Sequence, residues 1–270
     1  MFSYIKLNGI ALFEIEEFKR NNVTALFTTR KGGISTENYS SLNIGLHTDD
    51  KKENIIKNRK ILAEALNLNP ENFTCAKQVH GTNINVVKQN DKGKGAIHYS
   101  RAISSTDALF TTNKRLPLLT YYADCVPLYF MVPKKNIIGL AHAGWRGTVN
   151  KIAALSIDKL KSEFDVNPKN CWAAIGPAIS RKNYEVDQNI INKFKKQFKP
   201  EDNIWTKKSN NKFLLDLKKA NFILLNKAGI PSSQIIVSEM DTFENEELFF
   251  SYRRDGKSTG RMASIIYQHN

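Results

Sequence analysis

Residues 116–132 read LPLLTYYADCVPLYFMV, and residues 136–144 read NIIGLAHAG. These are apolar runs of strand length, rich in β-branched and aromatic residues, with turn residues between them. They lack the three-four spacing of an amphipathic helix and read as buried strands. Outward from this centre, VTALFTT (23–29), DALFTT (107–112), CWAAIGPAI (171–179), QIIVSE (234–239) and MASIIYQ (262–268) read as further strands. TCAKQVH (74–80) and NINVVK (83–88) are short β-like runs, and the polar stretch 88–105 reads as a loop. Helical spacing appears over residues 53–66. A second helix is expected to start at Thr148 as N-cap and to end before Asn167–Pro168. Asp187 and Asp216 are expected to cap two more. With no repeat, linker or composition break, residues 1–270 form one mixed α and β domain on this reading.

Bulk composition narrows the function classes. The chain is 41% hydrophobic, enough for a core, yet no stretch reaches the roughly 18 apolar residues of a membrane helix. The N-terminal residues lack the layout of a signal peptide, so a cytoplasmic protein is expected. Three widely spaced cysteines, Cys75, Cys125 and Cys171, do not make a disulfide framework. The formal charge of +14 is carried by scattered lysines, without a nucleic-acid module or a single basic stripe. No nucleic-acid partner is expected; attraction of small anions, phosphate included, uses the charge equally well.

Three segments end a strand-like run in a metal-competent side chain beside glycine or proline: KQVHG with His80, ADCVP with Cys125, and GLAHAGWRG with His142. Two imidazoles and a thiolate suit zinc and would leave a fourth position for water. The spacing alone does not fix such a site, because no CxxC or HExxH links the ligands. Each residue is individually compatible with a packed, hydrogen-bonded role. Cys125 and His142 could equally be a thiolate–imidazole pair for amide or acyl hydrolysis.

Read in order, the chain carries FTTRKGGIS (27–35), SLNIGLHTDD (41–50), KQVHG (77–81), STDALFT (105–111), ADCVPLYF (123–130), AHAGWRGT (141–148), AAIGPAIS (173–180) with YEVD (184–187), and FFSYRRDGKSTGRMASII (249–266). This series resembles the multicopper polyphenol oxidase, or laccase-domain, family, now understood largely as purine nucleoside phosphorylases that also deaminate adenosine. The resemblance implies one zinc per chain on His80, Cys125 and His142. It implies an α/β (α+β) fold, a layered domain of mixed β-sheets covered by helices. It also implies phosphorolysis of adenosine, inosine, guanosine or methylthioadenosine to base and ribose 1-phosphate. The expected partners are therefore purine nucleosides and phosphate, in a monomer or weak homo-oligomer. The family has also been linked to peptidoglycan precursors, which gives the cysteine-hydrolase alternative a substrate.

Around the metal set, Asp107, Arg30 and Asn43 are the candidates for catalysis. Asp107 could orient a ligand histidine or serve as acid/base. Arg30, Asn43 and Arg253 are the candidates for substrate or phosphate, with Arg254 and Arg261 in the same glycine-containing segment as Arg253. Asp124 is expected in a strand, facing away from Cys125. Trp145 is expected to wall the site, and His47 could reach it. Many relatives carry a cysteine where this chain has Asp241. With only five histidines in all, a site for several copper ions is short of ligands. The HxE…PCxxC pattern of nucleobase deaminases is absent, so any deaminase activity needs another proton carrier.

Overall fold

The computed structural model describes residues 1–209 and 211–269. Strands Val126–Val132 and Ile137–Ala143 pair antiparallel, from Val126 opposite Ala143 to Val132 opposite Ile137. Their side chains alternate between two cores. Leu128, Phe130 and Ala141 enter one, while Tyr129, Met131 and Leu140 enter the other. A period of two with both faces buried is why the sequence is apolar without interruption.

These strands centre a six-stranded sheet ordered 235–237, 172–175, 126–132, 137–143, 108–111, 84–86, antiparallel inside and parallel at both outer pairs. A second six-stranded sheet runs 2–7, 10–15, 23–28, 262–268, 118–122, 74–75, antiparallel except in the last pair. The sheets pack face to face, with Tyr129, Met131 and Leu140 against Ala25, Leu118 and Ile266. The Tyr129 hydroxyl satisfies itself across this layer by donating to the Leu26 carbonyl at 2.8 Å. Helices Ile152–Phe164 and Leu217–Lys227 cover the first sheet's other face, and helix Lys52–Ala65 covers that of the second. A three-stranded sheet of 185–187, 212–215 and 205–209 lies at the flank of the first core. The layered α/β expectation therefore holds, with helices outside and mixed sheets within.

Gly139 shows how tightly the central pair is built. It faces Phe110 across the ladder, and a Cβ on it would lie 2.3 Å from the Phe110 ring. Gly139→Ala forces buried rings to shift and is expected to destabilise by about 1–3 kcal/mol. Thermal unfolding read against the parent should show a Tm drop of several degrees.

Local expectations fare unevenly. Asp187 and Asp216 do cap helices, each accepting from a backbone N–H at 2.9 Å, those of Ile190 and Lys219. Thr148 is not an N-cap. It lies inside a separate short helix, Trp145–Val149, and the long helix begins only at Ile152, after Lys151 takes a left-handed φ of 64°. The reason is that Thr148 is needed inside: it is fully buried, and its hydroxyl accepts from Asn221 at 2.9 Å. Of TCAKQVH only Thr74–Cys75 is strand; the rest leaves the ladder to reach the site described next. The first hairpin, Phe2–Leu7 with Ile10–Ile15, turns at Asn8–Gly9 with both φ positive, the Asn-Gly chemistry of a tight hairpin.

Candidate active site

The chain passes from strand Leu118–Tyr122 of the second sheet to strand Val126–Val132 of the first in three residues, Ala123–Cys125. Asp124 makes that turn with a φ of 89° and is therefore not in a strand, as its sequence context suggests. Its carboxylate is nonetheless structural, accepting from the Thr242 hydroxyl at 2.8 Å and the Arg253 backbone N–H at 2.6 Å. The crossing leaves Cys125 at one end of the sheet sandwich. His142, next to last in its strand, lies opposite Pro127 in the adjacent strand. His80 comes from the loop beyond Thr74–Cys75, with a φ of 59°.

The ligand atoms of His80, Cys125 and His142 all lie within 4.8 Å of one another. His142 is buried, Cys125 half-buried and His80 exposed, so the cluster is anchored at one side and open at the other. Glycine permits the approach: a Cβ on Gly144 would lie 3.0 Å from the Cys125 Sγ.

Asp107 organises both histidines. Its carboxylate is fully buried and accepts from the His142 Nδ1 at 2.9 Å. It also accepts the backbone N–H groups of Val79, His80 and Gly81 at 3.2, 3.0 and 2.8 Å. One carboxylate thus wraps the His80 loop and fixes the His142 tautomer, leaving Nε2 facing the other donors. Burial pushes the Asp107 pKa up, but the hydrogen bond and charge of His142 and the backbone N–H groups hold it below the usual carboxylate range. Its oxygens are committed, which makes it a positioning carboxylate.

Burial likewise raises the Cys125 thiol, but the charge and hydrogen bond of His142, with His80, outweigh it and bring the pKa to about 6. For His142, burial lowers the pKa, while the Cys125 thiolate and Asp107 lift it to about 9. A soft anion beside two imidazoles, one backed by a carboxylate, is a donor set that could hold a metal ion.

The cluster forms the floor of a cavity of about 510 Å³. Trp145, Tyr184 and Leu217 line it on the side of the first sheet's core; Tyr121 and Tyr99 line it on the side of the second's. Trp145 is a wall residue, as expected. His47 does reach the cavity, where it packs between Tyr99 and Tyr121 at ring separations of 5.3 and 5.4 Å. Arg253 reaches it too, stacked 5.0 Å over Tyr184 and donating to the Glu185 carbonyl at 2.7 Å.

Two expected contacts stand elsewhere. Arg30 lies 4.5 Å over the Phe250 ring and donates to the Ser40 carbonyl at 2.7 Å, in a separate depression among Glu246, Glu247 and Asp255. Asn43 is fully buried, its amide donating to Thr48 and Asp50 and its oxygen accepting the backbone N–H groups of Gly45 and Arg261. Neither lines the cavity, because each side chain is occupied in holding loops together. Arg254 is structural as well, paired with Asp255 at 2.7 Å and donating to the carbonyls of Thr242, Phe243 and Phe249. Asp241 binds Asn183 and the Phe243 backbone and is not in the donor cluster. Tyr184, Tyr99 and Tyr121 were not singled out by sequence; Tyr184 in YEVD and Tyr121 in YYADC carry only their nearness to a motif.

A protein-family model described as multi-copper polyphenol oxidoreductase laccase matches residues 24–269. The chain is 41% identical over 240 residues to a Geobacillus stearothermophilus protein named purine nucleoside phosphorylase YlmD, covering 88% of each. It is 37% identical to the Bacillus subtilis protein of that name, covering 98% of this chain and 96% of the relative. Among solved structures it resembles Geobacillus stearothermophilus YlmD with a TM-score of 0.95 at 38% identity, over 100% of this chain and 99% of that one.

Proposed function

The chain belongs to the multi-copper polyphenol oxidoreductase laccase family, and on that premise we propose that it is a zinc-dependent purine nucleoside phosphorylase. The observation that carries the reading is the open His80–Cys125–His142 cluster on the floor of a cavity of about 510 Å³, within the usual range for a small-molecule site. The relatives' printed names support phosphorolysis. Residues 1–270 are read as one domain acting in the cytoplasm, as a monomer or weak homo-oligomer. Among the described residues no helix is long and apolar enough to cross a membrane.

One zinc per chain on these residues would supply a Lewis acid to polarise a phosphate or water oxygen. The protein's own part is positional. Asp107 keeps the His142 tautomer and the His80 loop fixed. The aromatic walls hold a purine nucleoside over the floor, and cavity arginines balance phosphate charge. The reaction forms a bond from a phosphate oxygen to C1′ of the ribose and breaks the bond from C1′ to the base nitrogen. Adenosine deamination at the same cavity is the proposed second activity.

The thiolate character of Cys125 beside His142 also favours a cysteine-hydrolase reading. Measured zinc content separates the two, because a zinc held by Cys125 would engage the thiolate. Adenosine incubated with and without phosphate decides the rest. Phosphate-dependent release of adenine and ribose 1-phosphate is expected, and inosine without phosphate would report the deaminase. Adenine released equally well without phosphate would exclude phosphorolysis.

A further inference from the structure

We infer that inorganic phosphate is held by Arg261, with His47 beside it, on the second-sheet wall of the cavity, leaving the Trp145–Tyr184 wall to the purine. This deepens the phosphorylase reading and rests on it. Arg261 lines the cavity half-buried. Its Nη1 donates to the Thr259 and Gly260 carbonyls at 2.7 and 2.9 Å. Among the described residues its Nε and Nη2 have no hydrogen-bond partner and no carboxylate pairs with it. The other arginines of the segment differ: Arg254 has Asp255, and Arg253 is drawn towards the Glu185 carbonyl.

A guanidinium removed from water without a carboxylate is costly, and one stands behind this wall. Fully buried Arg59 lies behind Tyr121, donating to the carbonyls of Ile44, Gly95 and Ala96 and to the Tyr121 hydroxyl, with no carboxylate partner among the described residues. Arg59 behind the wall and Arg261 on it, neither paired with a carboxylate, add positive potential to this side of the cavity. The free edge of Arg261 is a planar two-donor fork, which matches two phosphate oxygens.

The fork is held in place from behind. Asn43 Oδ1 accepts the Arg261 backbone N–H at 2.9 Å, and the Ile44 N–H donates to the Arg261 carbonyl at 3.1 Å. Gly45 lets the arginine stem pass, since a Cβ there would lie 2.8 Å from Arg261 Cγ and 3.3 Å from His47 Cε1. The same clasp therefore carries His47 to the arginine. The His47 ring nitrogens have no hydrogen-bond partner among the described residues, so one can donate to the anion. Asn43 thus serves the phosphate site as a positioning residue rather than by touching substrate. The opposite wall offers the aromatic surface a purine needs: the Trp145 and Tyr184 rings, each with an arginine stacked on one face (Arg146 at 4.4 Å and Arg253 at 5.0 Å), and the apolar Leu217.

The test compares the zinc-loaded parent with Arg261→Ala, Arg261→Lys and the exposed-lysine control Lys182→Ala. The separate KM values for phosphate and inosine are read, with zinc content and melting temperature as folding controls. Arg261→Ala is expected to raise the phosphate KM at least about 10-fold while the inosine KM stays within about twofold. Arg261→Lys, which keeps charge but loses the fork, should fall between, and Lys182→Ala should move neither. An unchanged phosphate KM, or a rise confined to inosine, overturns the assignment. Calorimetric titration of inorganic phosphate into parent and Arg261→Lys, without nucleoside, keeps the two ideas separable. If the parent cleaves no nucleoside, the phosphorylase reading fails, while phosphate binding weakened by Arg261→Lys would still support the subsite. Equal phosphate binding by both, or none by either, would sink it.

Discussion

Cys125→Ala is expected to yield a folded protein without stoichiometric zinc, its phosphorolysis reduced at least about 100-fold, beyond the 10- to 100-fold typical of losing a mere supporting partner of a metal ligand. Cys125 is the anionic donor of the three, and the two imidazoles alone leave a weak, under-charged site. The substitution is small, and the residue is half-buried in a three-residue crossing whose geometry is held by Asp124 through Thr242 and Arg253. The fold should therefore survive. Metal analysis, with circular dichroism and kcat/KM, checks each part. A variant that keeps both zinc and turnover would remove Cys125 from the site.

Asp107→Asn is expected to lower zinc affinity about 10- to 100-fold and to destabilise the protein by about 1–3 kcal/mol. The parent carboxylate accepts four hydrogen bonds, three from one turn of backbone and one from His142. An asparagine replaces an acceptor oxygen with an NH2 group, so buried N–H groups of residues 79–81 or the His142 Nδ1–H must face a donor. His80 and His142 lose their common anchor together. Competition with a chelator of known affinity measures the first effect and denaturant unfolding the second. An affinity equal to the parent's would show that the histidines are held by their own packing.

The layered fold was legible where local chemistry decides it. The uninterrupted apolar runs at 126–132 and 137–143 have both faces buried, and that demand alone makes the sequence look as it does. Asp187 and Asp216 could be read as caps because the cap is a three-residue interaction. His80, Cys125 and His142 could be named as metal-competent from residue chemistry but joined into one site only through resemblance, since residues 80, 125 and 142 meet by sheet pairing and an inter-sheet crossing. Asp107 could be read as orienting a ligand histidine, but its hold on the His80 loop carries no sequence signal, because those partners lie 26–28 residues away. Arg30 and Asn43 failed to reach the cavity for a related reason. A polar residue beside a glycine turn looks the same whether it faces a ligand or ties two loops, and here both tie loops. Arg261 stands out only once the carboxylates around its neighbours are seen to pair with others.

On the proposed reading, turnover depends on one zinc at His80, Cys125 and His142. The direct measurement is to strip the purified protein with chelator, return zinc in steps, and follow bound metal and phosphate-dependent base release in the same samples. Activity is expected to rise in proportion to bound zinc and to saturate at about one ion per chain. Full phosphorolysis by metal-free protein, or activity that ignores the zinc bound, would rule out zinc-dependent turnover at this site.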